Sequence, residues 1–204
     1  MSYDIYLTEP VSGDTIELPI KHVMIGGTYA ADYNEKTGDF TPKPISEAHL
    51  NITYNYSIYY YEATDRDSRF AHDEISAYYA DGTIGPVVIE YGIRGIYGKT
   101  GAQSISMLKD MIERIIDKYK KDGKWITTTR KRSKYIDNTT GEELNIIDIL
   151  HMKKDSYHKE EYTEEIDEGE NSNYWEPTAI NAIKPLYQLI AMAELRPDGI
   201  WKGD

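Results

Sequence analysis

The residues best suited to hold a ligand lie in the run Gly92-Ile93-Arg94-Gly95-Ile96-Tyr97-Gly98-Lys99-Thr100-Gly101. Its last four residues, Gly98, Lys99, Thr100 and Gly101, fall between an expected strand and an expected helix. Free backbone N–H groups and the helix dipole favour an anion at such a place. A Walker A loop would need glycine where Ile93 stands, and Gly92 and Gly95 both miss that position. What remains is a looser phosphate or nucleotide contact, set against the plainer reading of a tight turn with Thr100 as helix cap. Arg94 offers a bidentate fork for a phosphate or carboxylate beside the loop, or a partner for one of many acids. Tyr59, Tyr61, Tyr78 and Tyr79 could stack a nucleobase, although tyrosine is also common on a half-buried pleated surface.

Signals for catalysis are weaker. Asp148, His151, Asp155 and His158 are spaced by three, four and three residues, which would line one face if 143–160 is helical. Four ligands strung along one helix span too far for one ion, so the stripe reads as a solvated acidic face. His72-Asp73-Glu74 is weaker still. The absence of cysteine removes disulfides, thiolate nucleophiles, thiolate zinc sites and iron–sulfur ligation together. There is no GxSxG elbow, and 35 acidic residues make paired carboxylates too common to mark a site. The residues therefore point to no metal, no cofactor and no locatable catalytic group, and lean away from an enzyme.

Charge narrows the choice of partner. The chain has 204 residues and a net charge of −12, which argues against binding along a phosphate backbone. Lys118, Lys120, Lys121, Lys124, Arg130, Lys131, Arg132 and Lys134 form a basic segment, and the acidic stretch 155–173 follows it. The two should neutralise one another within the fold or across a dimer, and the sharper alternative is a local nucleotide footprint. No apolar run reaches the roughly 18 residues of a membrane span, and the opening MSYDIYLTEP lacks the pattern of a signal peptide. A cytoplasmic protein is expected. Nineteen tyrosines against two phenylalanines mean that many buried rings will need partners for their hydroxyls.

The elements that must position these residues read as α+β. Residues 3–8 and 14–19 alternate around Pro10 and Ser12-Gly13-Asp14, which predicts an opening hairpin. Alternation from Asn51 to Tyr60 predicts a strand, and 86–91 another. Ile105, Leu108, Ile112, Ile115, Ile116 and Tyr119 recur at helical spacing and predict a helix over 102–120. A second helix is expected over 143–157, an exposed or disordered link over 155–173, and a helix over 178–195 that Pro185 should kink or delay in its regular start. Pro197-Asp198-Gly199 should stop that helix, with Ile200 and Trp201 folding back as an anchor. The expectation is one domain, 1–204: an antiparallel sheet packed on one side by two main helices, with 122–172 as a charged insertion.

The segments Gly92 to Gly101, Tyr174-Trp175-Glu176-Pro177-Thr178 and Arg196-Pro197-Asp198-Gly199-Ile200-Trp201-Lys202-Gly203-Asp204 resemble a family of small phage and prophage proteins. Ser2 to Leu7 and Leu50 to Tyr56 resemble it too. The match covers about half the chain, with 122–172 looking like an addition to a shorter protein. No activity travels with this resemblance. It implies a phage setting in the host cytoplasm, and by analogy an accessory protein that antagonises host defence by binding, either sequestering a nucleotide-type signal or blocking a host protein. Two alternatives belong to other classes: a small metal-dependent hydrolase or nuclease acting on nucleotides, and a virion structural or assembly protein.

Overall fold

A computed structural model describes residues 2–74 and 88–204. In chain order the strands are β1 (Ser2–Thr8), β2 (Glu17–His22), β3 (Ala31–Asn34), β4 (Asp39–Pro42), β5 (Ile45–Glu47), β6 (His49–Thr53), β7 (His72–Glu74), β8 (Val88–Glu90), β9 (Lys120–Lys121), β10 (Lys124–Trp125), β11 (Thr127–Asp137), β12 (Glu143–Leu144), β13 (Tyr157–Asp167) and β14 (Ile200–Gly203). The helices are α1 (Ser57–Thr64), α2 (Gly101–Tyr119), α3 (Ile146–His151) and α4 (Ala179–Leu195). The pairings given for these strands are antiparallel, so the α+β class expected from the sequence is what the chain adopts.

At the centre is a three-stranded sheet in the order β14-β1-β6. Tyr3, Ile5 and Leu7 alternate on β1 and are all buried, which is the pattern of a strand with one face on the core. Leu50 and Ile52 of β6 and Trp201 of β14 join them. Helix α2 packs against α4, and α1 packs against α2. The buried face of α2 is formed by Met107, Leu108, Met111, Ile112, Ile115 and Tyr119: four residues of the predicted stripe lie on it, Ile105 and Ile116 are partly buried at its edge, and Met107 and Met111 join from outside the stripe. Thr100 and Gln103 close a capping box at its start. Among the described residues, no helix is long and apolar enough to cross a membrane.

Several expectations are corrected. The strand predicted over Asn51 to Tyr60 stops at Thr53, whose side chain accepts from the Asn55 N–H and starts a 3-10 turn leading into α1. Tyr56, Tyr59, Tyr60, Ala63 and Thr64 are the buried positions, so tyrosines that alternate like a strand also fit a helix. Of the strand predicted over 86–91, residues 86 and 87 lie outside the described residues, and Val88–Glu90 forms β8, which among the described residues pairs with β7 and not with the central sheet. Its place at the sheet edge is taken by β14, where Leu7 opposes Trp201. The opening hairpin survives only near its turn, through Glu9 N to Asp14 O at 2.8 Å and Ile16 N to Leu7 O at 2.9 Å. Strand β2 then pairs with β5.

The helix expected over 143–157 is six residues long, and the acidic stretch is not a disordered link. Tyr157–Asp167 forms β13, paired residue for residue with β11 so that Arg130 opposes Glu164 and Lys134 opposes Glu160. The two charged segments neutralise one another as a ribbon, because opposite charges facing across strands attract.

Two sites anchor the helical layer. Trp201 is fully buried and its indole Nε1 donates to Ser104 Oγ at 2.7 Å, tying β14 to α2. Asp67 accepts from Arg69 Nη2 at 2.6 Å and from Arg114 Nη2 at 2.7 Å, which ties the end of α1 to α2. The Arg69 guanidinium foremost, against the opposing effect of burial, and then Arg114 hold the Asp67 carboxyl well below the usual carboxylate range.

Replacing Trp201 by alanine should cost about 3–5 kcal/mol, read as a lower urea midpoint at unchanged slope. A carboxyl whose folded pKa is depressed stabilises the fold above its unfolded value of about 3.9, and that stability is lost as pH falls below it. Melting curves of Asp67→Asn and the parent should therefore differ most at neutral pH and converge below about pH 4. A constant gap down to pH 2 would contradict this account.

Candidate functional site

The phosphate-like loop is occupied by its own chain. Gly98 N donates to Trp201 O at 2.9 Å, Lys99 N to Ile96 O at 3.0 Å, Gly101 N to Gly199 O at 2.8 Å and Ala102 N to Pro197 O at 2.9 Å. Thr100 N donates to Gln103 Oε1 at 2.9 Å, and Gln103 N to Thr100 Oγ1 at 3.2 Å. These N–H groups are the ones an anion would need at a helix start. Gly101 is glycine because the end of α4 passes there: a Cβ would lie 2.5 Å from Arg196 O and 3.1 Å from Pro197 Cα. Gly98 has φ +75° and open space around it, so it serves the turn. The loop is built as a structural joint, and only the Lys99 side chain is left to contact a ligand.

Arg94 is also engaged internally. Its Nη2 donates to Tyr54 Oη at 2.7 Å and its Nε to Asp204 O at 3.0 Å. Its guanidinium lies 5.2 Å from the Tyr3 ring centre and 5.6 Å from that of Tyr54. A cation held between two rings and two acceptors fixes β14 against β1.

Tyr59, expected at the surface, is fully buried. Its hydroxyl donates to Glu168 Oε2 at 2.6 Å and accepts from Arg130. Glu168 is itself fully buried. It also accepts from Thr128 Oγ1, from Arg130 Nη2 at 3.0 Å and from the backbone N of Ala179 at 2.9 Å. One carboxylate thus joins the ribbon root, α1 and the start of α4. Burial first, and then the Glu168 carboxylate, push the Tyr59 phenol well above its ordinary range. Such a phenol stays protonated and donates, as a structural network requires.

Of the two described tyrosines among the four candidates, Tyr61 is placed at a recess. It is 37% exposed and shares a shallow hollow of about 250 Å³ with Asp65, Glu90 and Tyr91. Tyr78 and Tyr79 lie outside the described residues. Of the two described tyrosines, Tyr61 lies against Gly92, where a Cβ would sit 2.9 Å from its ring, while Tyr59 is turned into the core, so the candidate groups are divided. The histidine and aspartate stripe is dispersed as well: Asp148 caps α3, Asp155 lies in a 3-10 turn, and His158 sits on β13 with Asn138 Oδ1 at 2.7 Å from its Nδ1. Among the described residues, no group of three histidine, aspartate or glutamate side chains is placed to hold a metal ion.

Two surface features were not singled out in the sequence. The first is the ribbon β11–β13, eleven residues on each strand and so about 36 Å long. The main apolar cluster reaches Ile126 and resumes at Ala179, and within the ribbon the one buried apolar side chain among the described residues is Ile166, at its root. Arg132 bonds Glu164 at 2.9 Å and Lys134 bonds Glu160 at 3.2 Å, while Lys131 and Tyr162 are exposed. The second is an aromatic cleft of about 350 Å³ lined by Thr28, Tyr29, Ala31, Phe40, Tyr174 and Trp175. Its residues come from three separated stretches, so no local spacing announces it. The shared signal was a surplus of aromatic residues in polar loop sequence.

Comparison of the chain with protein families, with curated proteins and with solved structures gives no match.

Removing the Glu168 carboxylate would leave buried donors on Tyr59, Thr128, Arg130 and Ala179 without their acceptor. Glu168→Ala should destabilise the protein by about 3–5 kcal/mol, with Tyr59→Phe milder at about 1–2 kcal/mol. Chemical denaturation of the two variants checks the order; a milder effect for Glu168→Ala would refute the network.

Proposed function

We propose that this is a non-catalytic binding protein that blocks a macromolecular partner, and that in the phage setting implied by its sequence resemblance the partner is a host defence protein. The observation that carries the reading is the β11–β13 ribbon. Beyond its root, where Ile166 is buried and Arg130 and Thr128 bond the buried Glu168, it adds no residue to the apolar core, neutralises its own charges across its strands, and leaves Lys131 and Tyr162 exposed. A projection that the core does not need is explained by what it contacts outside the chain.

The internal use of the candidate ligand groups supports protein over nucleotide as the target. The backbone donors of Gly98 to Gly101 are taken by residues 96–103 and 197–201, and Arg94 is held by Tyr54 and Asp204. The net charge of −12 works against a phosphorylated ligand and suits a basic protein surface. The buried carboxylate, Glu168, is spent on capping α4 and does not face a cleft.

A tagged form should capture a defined host protein, and the double variant Lys131→Ala, Tyr162→Ala should weaken that capture by roughly ten-fold or more at an unchanged melting temperature. A panel of linear and cyclic nucleotides, with and without divalent metal, should leave the melting temperature unchanged. Stabilisation by a nucleotide, about 2.7 kcal/mol at a hundred times its dissociation constant, or turnover of a nucleotide or nucleic acid, would overturn the proposal.

A further inference from the structure

The aromatic cleft has a defined construction. Hairpin β3–β4 pairs Tyr33 opposite Phe40, with ring centres 5.0 Å apart, and Phe40 forms one wall. The other wall is Tyr29 against Tyr174, ring centres 6.4 Å apart and nearly perpendicular, and Tyr174 against Trp175 at 4.8 Å. The backbone of this wall is pinned from behind: Tyr56 Oη donates to Tyr174 O, and Asn55 Nδ2 donates to Trp175 O at 2.9 Å. Phe40 and Trp175 are nevertheless 65% and 45% exposed. Large apolar rings clustered in the open, on backbone held by the buried Tyr56 and by Asn55, mark a surface kept for contact.

We infer that this cleft receives an arginine or lysine side chain from the partner protein, held by cation–π contact between the Phe40 and Tyr29-Tyr174-Trp175 walls. The inference rests on the protein-binding reading and names the chemistry that the partner presents. Among the described residues no lysine or arginine lines the cleft, so a phosphate would find no counter-charge from them. The ring faces carry the negative side of their quadrupoles, and the molecule around them has a net charge of −12. The volume of about 350 Å³ admits a long side chain with part of its backbone. Glu176, next to Trp175, lies 3.8 Å from Arg132 of β11, which makes the cleft continuous with the root of the ribbon. A partner gripped by the ribbon would pass over the cleft.

The test is calorimetric titration of the intact protein with a capped arginine–glycine repeat peptide. The same peptide with citrulline in place of arginine keeps the shape and removes the charge, and a capped polyproline peptide and adenosine serve as further probes. Binding of the arginine peptide should be roughly ten-fold tighter than that of the citrulline peptide and should fall by a similar factor in Phe40→Ala and in Trp175→Ala. Melting curves of the two variants should match the parent, because both side chains are exposed. Equal binding of citrulline or polyproline peptide, tighter binding of adenosine, or arginine binding that both variants leave intact would overturn the inference. The two readings fail separately. If the cleft variants still capture the host protein and the ribbon variant does not, the cleft assignment falls and the protein-binding reading stands.

Discussion

A core filled with tyrosine has to find partners for most of its buried hydroxyls, and much of this structure follows from that requirement. Tyr3 meets Ser57 at 2.8 Å, Tyr60 donates to Ala182 O at 2.9 Å, and Tyr59 donates to Glu168 at 2.6 Å. Tyr56 reaches the carbonyl of Tyr174. Three of these four bonds join the 56–60 region to residues 168–182, more than a hundred positions later. The hydroxyls therefore decide where the start of α4 lies as much as the apolar packing does.

Glu168 is the polar counterpart of that arrangement. It lies at the point where the charged ribbon returns to the body, and its carboxylate accepts from the ribbon, from α1 and from the first turn of α4. A buried carboxylate is tolerable only when its lone pairs are fully used, and here four donors converge on it. The ribbon beyond this root carries no core residue, so the body can hold its shape while the exposed side chains of the ribbon, Lys131 and Tyr162 among them, stay open to a partner.

Side chains that look reactive in the sequence are mostly consumed in holding the fold. Arg94 clamps β14, Gly101 makes room for the end of α4, and Thr100 caps α2. The surface that looks most prepared for contact is built from residues without chemical reputation, Phe40, Tyr29, Tyr174 and Trp175.

Helices α2 and α4 were legible from sequence because their apolar spacing matches one period over many turns, and a local period needs no distant partner to be read. The α+β class, the charge neutralisation between the basic and acidic segments, and the fold-back of Trp201 were legible for similar reasons: sign, spacing and punctuation are local properties. The Tyr54 to Tyr60 stretch was not, since a run of tyrosines satisfies periods of 2 and 3.6 alike, and the choice fell to Thr53 as a cap and to acceptors near residues 168–182. The acidic segment became a strand only because the basic one lies opposite it, and the aromatic cleft exists only because three distant stretches meet. The sequence by itself determined which segments could be amphipathic and which charges were available. Tertiary structure alone decided which hydroxyl, carboxylate and ring would find a partner, because those pairings form between residues whose separation along the chain carries no signal.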